Sequence, residues 1–220
     1  MSPANSHLCR LDHLVVTAKS CADGVDWIRD KCGVVMPVGG EHPLMGTHNH
    51  LTALGEQEFL EVIAINPSAN TPDHHRWYDL DNPNHQKKLE QSPQLTTWVV
   101  ATGNLNATLE ALKPLGFDAG RPVEVTRGQL SWQLAFREDG SMPFDGLFPA
   151  LIEWPEPINP VSLMKDQGMR LSHLYASHPE ADQLSRAFKT IGIDSLITVE
   201  QGDTSFRAEF AKGSQQFTLN

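Results

Sequence analysis

Three short segments of this chain repeat one another. LDHLVVTA (11–18), LTTWVVAT (95–102) and LSHLYASH (171–178) each open with Leu and are apolar and half-alternating, the pattern of a strand with one buried face. Each runs into a stretch with helical patterning that ends at a glycine followed by an apolar residue, as a helix C-cap does. The glycines are Gly33, Gly116 and Gly192, and the spacing from His13, Thr97 and His173 to them is 20, 19 and 19 residues. A repeat kept at that spacing fixes the architecture before any single element is assigned.

After each glycine the chain becomes strand-like again: MGTHNHLTALG and EFLEVIAI in the first unit, SWQLAFRED and FPALIEW in the second, SLITVEQ, SFRAEFA and QQFTL in the third. Each unit therefore reads strand, helix, then about three strands. Segments 66–93 and 155–168, rich in Pro, Asn and Asp, are turn and loop formers that separate the units. The modules are expected at 9–66, 94–155 and 169–220. The third has no fourth to pair with, so its surface or sheet edge must be covered by the first two modules or by a second copy of the chain, which makes a homodimer an expectation.

The charge excludes one class of partner. Lys and Arg number 17 against 27 Asp and Glu, a formal net charge of -10, which repels a phosphate backbone, so nucleic acid is not an expected partner. The longest apolar stretches are broken by Glu61 or Pro37 and fall far short of a bilayer span, so no membrane is expected and the protein is placed in the cytoplasm. Cys9, Cys21 and Cys32 are odd in number and lack CxxC spacing, which points to buried free thiols. No GxSxG elbow, Walker loop, GxGxxG or HExxH occurs, so serine hydrolase, nucleotide-binding and zincin chemistries lack their signatures. What is left is an ordinary globular protein.

Tandem βαβββ modules opening with LDHLVV and carrying FLEVIAI on the fourth strand resemble the vicinal oxygen chelate superfamily of glyoxalases, extradiol dioxygenases and resistance proteins. The phrases GGEHPLMGTHNHL (39–51), RWYDLDNP (76–83) and LFPALIEWP (147–155) are similar to its glyoxalase-like domain branch. The resemblance implies an α+β fold in which tandem βαβββ modules form a cupped mixed sheet, here with a third C-terminal module. It also implies a metal held by the first and fourth strands of two facing modules. Matching those positions puts His13 and Glu61 in the first module, and Thr97 and Glu153 in the second. His13, Glu61 and Glu153 are ligand types, and an imidazole with two carboxylates and open positions suits Zn, Mn, Fe or Ni. Thr97 stands where metal-using relatives carry His, Gln or Glu. Without a metal, Glu61 on an apolar strand needs another partner, and Arg76 or Arg127 across the cup would serve.

Other side chains are expected in the pocket. His42 sits among Gly39, Gly40 and Gly46, which let the backbone approach a ligand closely. Asn49 shares a strand face with Thr47 and Leu51, opposite His48 and His50, and is the expected inner polar contact. Arg76 with Trp77, and Arg127 with Trp132, combine a guanidinium fork for a carboxylate or enolate with an indole. Trp98 and Trp154 are expected to pack against the helices. The implied function is a lyase or isomerase that polarises a small oxygenated substrate at a divalent cation, with Glu61 and Glu153 as proton-shuttling catalytic residues. The competing reading is a metal-free binding protein with Trp77 and Trp132 as stacking surfaces. An extradiol dioxygenase would need a second His where Thr97 lies.

Overall fold

The computed structural model of the protein describes residues 9–127, 130–155 and 160–220, so residues 156–159 of the second expected linker lie outside the described residues. The first module consists of β1 (Arg10–Thr17), α1 (Cys21–Cys32), β2 (Val38–His42), β3 (Thr47–Ala53) and β4 (Phe59–Ile65). Its helix starts where the Ser20 side chain accepts from the Asp23 amide and stops at Gly33, whose left-handed backbone (φ 61) returns its N–H to the Arg29 carbonyl, as a C-cap requires. After a connecting segment that carries α2 (Pro83–Leu89), the second module runs through β5 (Gln94–Ala101), α3 (Leu105–Leu112), β6 (Arg121–Arg127), β7 (Leu130–Phe136) and β8 (Ala150–Glu153).

These eight strands form one sheet in the order β2-β3-β4-β1-β5-β8-β7-β6. In each module the opening strand lies parallel to the last one, β1 beside β4 and β5 beside β8, and the modules join where β1 and β5 run antiparallel. The opening strands are therefore interior strands covered on both faces, and β1 is buried over its last six residues. Strand alternation splits the apolar residues into two cores. Leu14, Val16, Leu60, Val62 and Trp98 face the helices. Val15, Ile63, Val99, Val125, Leu134 and Ile152 face the interior of the cup, whose outer strands β2 and β6 meet to nearly close it.

The C-terminal segment keeps the order strand, helix, three strands, as β9 (Met169–His178), α4 (Ala181–Ile191), β10 (Ile197–Gln201), β11 (Ser205–Lys212) and β12 (Gln215–Leu219). Its pairing differs: the sheet order is β10-β9-β11-β12, with β10 parallel and β11 antiparallel to β9. Helix α4 buries Leu184, Ala187, Phe188 and Ile191. Phe188 meets the edge of Trp98 at 5.6 Å, so this segment covers the helix side of the second module and leaves the cup to the first two. Among the described residues, no helix is long and apolar enough to cross a membrane.

Candidate active site

The cup is built around a short line of hydrogen-bonded side chains. His13 on β1 stacks on Phe59 of the paired β4 at 4.4 Å. Its Nδ1 lies 2.6 Å from Asp12 Oδ1 and its Nε2 lies 3.5 Å from Glu61 Oε2. Asn49 Nδ2 donates to Glu61 Oε1 at 2.6 Å, and the Gly40 amide fixes Asn49 by donating to its Oδ1 at 2.9 Å. At the other end Trp154 Nε1 donates to Asp12 Oδ2 at 2.9 Å. Strand alternation alone would send Asp12 to the opposite side from His13. The register against β5 skips a residue between Leu11 and His13, a bulge that re-aims a side chain and leaves both on one line. All three titratable groups are buried: Asp12 is 1% exposed, His13 6% and Glu61 5%.

Burial sets the energetic problem for these groups, and the hydrogen bonds solve it. Burial alone would push the His13 imidazole down, but the hydrogen bonds to Asp12 and Glu61, with their charges, outweigh it and raise its pKa to about 9. Burial likewise pushes Glu61 up, and the His13 hydrogen bond and charge, with help from His42 and Asn49, bring it below its ordinary value. His13 is therefore an imidazolium at neutral pH, flanked by two carboxylates.

Around the line is a cavity of about 30 Å³ with aromatic walls from Phe59, Trp77, Tyr78, Trp132 and Trp154. His42, at the end of β2, meets the edge of Trp77 at 5.1 Å and shares a hydrogen bond of 3.1 Å with Thr47 Oγ1. Burial lowers its pKa to about 4, so it is neutral. Arg127 on β6 shares the inward face of Val125, and its guanidinium lies over Trp132 at 5.9 Å. It reaches the cavity across Gly40, where a Cβ would come within 2.7 Å of Arg127 Cδ. Among the described residues Arg127 makes no hydrogen bond or ion pair. A guanidinium left unpaired beside a buried cavity is a ready partner for an anionic oxygen.

The segment after β4 completes the wall under strain. Tyr78 and Asp79 both have left-handed backbone, φ 56 and 57, which costs a non-glycine residue about 1–3 kcal/mol. Neighbouring contacts hold it: Asp79 N–H donates to the Gly140 carbonyl at 3.0 Å, and Arg76 pairs with Asp81 at 2.5 Å. A side chain at Gly140 would collide with the Arg76 carbonyl, 2.2 Å from its Cβ position. The result is a buried phenol whose pKa is raised by burial and by the charges of Glu61 and Asp12, so it is a neutral hydroxyl next to the acid–imidazole line.

The structure places His13, Glu61, Asn49, His42, Trp77, Arg127 and Trp132 around one cavity. The expectations for Glu153, Arg76, Trp154 and the shared metal set are corrected. Glu153 is not in the cavity: its carboxylate accepts the Leu105 amide at 2.6 Å, at the start of α3. The register explains this. Val15 faces Glu61 across β1 and β4, and the equivalent pair in the second module is Val99 and Ala150, so Ala150 holds the place of Glu61. Ile152 points into the cup, and alternation turns Glu153 outward. Arg76 is taken up by Asp81 rather than Glu61. Trp154 lines the cavity instead of packing on helices. Thr97 donates its hydroxyl to the Gly146 carbonyl at 2.7 Å. Consequently His13, Glu61 and Glu153 do not form a shared donor set, and among the described residues no group of three or more His, Cys, Asp or Glu could hold a metal ion. Asp12 and Tyr78 were not legible as site residues. The acid beside His13 in LDH was the one available signal.

Two βαβββ modules closing a cup over a buried polar line define a glyoxalase-like fold. The model of the glyoxalase-like domain family matches residues 11–192, and the chain belongs to that family. A hypothetical protein from Staphylococcus aureus is similar in structure, with a TM-score of 0.64, 14% identity, and coverage of 90% of this chain and 88% of that one. A mutant of 4-hydroxymandelate synthase from Streptomyces coelicolor has a TM-score of 0.53 and 12% identity, covering 95% of this chain and 61% of that one. Methylmalonyl-CoA epimerase from Mycobacterium tuberculosis has a TM-score of 0.42 and 18% identity, over 70% of this chain and 93% of that one. At these identities the likenesses show the fold alone. No curated protein matches the chain.

Proposed function

We propose that the chain is a glyoxalase-like enzyme of the lyase or isomerase type that moves a proton next to the carbonyl of a small carboxylate-bearing substrate. The observation that carries this is the Asp12–His13–Glu61 line set in an aromatic cavity with the Arg127 guanidinium, which makes no hydrogen bond or ion pair among the described residues. Arg127 binds the substrate carboxylate. The His13 Nε2–H, held only loosely by Glu61 at 3.5 Å, turns to the substrate carbonyl oxygen. With that hydrogen bond gone, the burial that raises Glu61 is no longer offset by its strongest opponent, and the carboxylate becomes a stronger base.

Glu61 then takes a proton from the carbon beside the carbonyl. The C–H electron pair becomes the enolate double bond, the carbonyl oxygen takes the negative charge, and the imidazolium stabilises it. Return of the proton from Glu61 to the former carbonyl carbon, where the neighbouring carbon bears a hydroxyl, or loss of a leaving group next to the enolate, completes an isomerase or lyase cycle. Asp12 positions His13 and keeps it charged. Divalent metals are common in this superfamily, but the donors here do not fit one: the second module offers Thr97, already bonded to a carbonyl, Ala150, and the outward Glu153. The proposed chemistry therefore runs through the side chains alone.

Incubating the protein with a panel of 2-oxo acids in heavy water, and following loss of the C3–H signal by proton NMR, tests the proposal. Exchange above the buffer rate that disappears in Glu61→Gln supports it. Binding that depends on Arg127 without any exchange would favour the ligand-binding reading.

A further inference from the structure

The inner cavity does not end at Arg127. A second, outer cavity of about 160 Å³ shares Arg127 and Pro160 with it. Its apolar walls are Pro37, Val38, Leu51, Leu130, Leu163 and Met164. Val38 is 76% exposed and Leu163 84%, a cost in water that a protein seldom accepts at neighbouring positions without a use for them. Leu51 and Met164 pack in one apolar cluster with Phe59, the ring beneath His13, so the apolar surface runs unbroken from the reactive line to the outside. The charged side chains of the outer lining are Arg127 and Lys165, both cationic.

The geometry points to a substrate with two parts: an oxygenated, carboxylate-bearing head in the inner cavity and an unbranched apolar tail lying along Val38, Leu163 and Met164 in the outer one. This rests on the proposed function, since Arg127 must hold the head for the tail to reach the outer walls. The outer space has room for on the order of ten waters, which suits a chain of several methylenes. The tail also accounts for the two exposed apolar side chains, which it would cover. The substrate class is thus a medium-chain oxo or hydroxy acid rather than a three-carbon acid.

Calorimetric titration of the full chain with straight-chain 2-oxo acids of about three to ten carbons decides it. The expected result is a Kd that tightens by about threefold to fourfold for each methylene that enters the outer cavity and levels off once the chain passes Leu163. Val38→Ser and Leu163→Ser, both at exposed positions and both uncharged, should flatten that dependence while leaving the shortest acid's affinity unchanged. Affinity that is independent of chain length, or a dependence that survives both substitutions, would overturn the two-part substrate while leaving the proposed chemistry in place. If no acid binds, or binding is unchanged in Arg127→Gln, both readings fall together.

Discussion

Raising the pH from 6.5 to 9 should weaken the fold through one residue. His13 has an ordinary pKa of 6.5 and a folded value of about 9, so the folded state binds its proton more tightly than the unfolded chain does. That difference stabilises the fold fully below pH 6.5 and is lost as pH rises through about 9. At about 1.4 kcal/mol for each pH unit of separation, the total is about 3 kcal/mol. Other buried groups act outside this window. His42 and His85 are lowered to about 4 by burial, so their contribution is present above pH 6.5 and lost on acidification. Burial raises the Cys21 and Cys32 thiols to about 12 and 11, so theirs fades only above pH 9. The His13–Glu61 contact also lowers Glu61; it is one interaction and counts once. Urea unfolding at intervals from pH 6.5 to 9 should show stability falling by about 3 kcal/mol, or about 6–12 °C in Tm for a chain of this size. His13→Gln should remove that slope between 6.5 and 9. A flat wild-type profile, or equal slopes in the two proteins, would refute the idea that His13 is held as an imidazolium between Asp12 and Glu61.

The outward placement of Glu153 predicts that Glu153→Ala costs about 1 kcal/mol of stability, by leaving the Leu105 amide at the start of α3 without its acceptor; urea unfolding reads the loss, and carboxylate affinity by calorimetry should not change. Gly40→Ala puts a methyl group against Arg127 Cδ, a flexible side chain that can move, so stability should shift by no more than about 1 kcal/mol while 2-oxo acid affinity falls about tenfold, roughly 1.4 kcal/mol. Elemental mass spectrometry of protein purified without added metal should find Zn, Mn, Fe and Ni far below one ion per chain. The same content in Glu61→Ala would confirm that Glu61 is not a ligand.

The repeat made most of the architecture readable because it rests on features that local chemistry enforces: a half-buried strand, a helix and a left-handed glycine stop at fixed spacing. It could not reveal that the C-terminal segment pairs β10 directly with β9, since strand partners depend on where α4 docks, and that is decided by Trp98 and Phe188 from distant parts of the chain. In the site, His13, Glu61 and Asn49 were readable because strands alternate faces. Asp12 was hidden by the failure of that rule at a bulge, and Glu153 was misplaced because matching FPALIEW to EFLEVIAI by its acidic residue ignores register. Tyr78 lies in a polar stretch, where only its left-handed backbone marks it as special.

The corrected register makes the two modules unequal in a way that bears on mechanism. In the first, the inward positions hold His13, Glu61 and Asn49; in the second, the corresponding places hold Thr97 and Ala150, and Ile152, Trp132 and Arg127 complete that side. Two facing sets of carboxylates would repel each other in a buried cup and would need a multivalent cation to coexist. With the second set absent, a single imidazolium is enough to balance Glu61, and Asp12, drawn in by the bulge, keeps that imidazolium charged. The acid–base chemistry is thereby confined to the first module's wall, and the second module's wall is free to bind the substrate through Arg127 and the indoles. A base on one wall facing an anion anchor on the other holds a bound 2-oxo acid with its carbonyl oxygen toward His13 and its C3 toward Glu61, which is the orientation that proton abstraction beside a carbonyl requires.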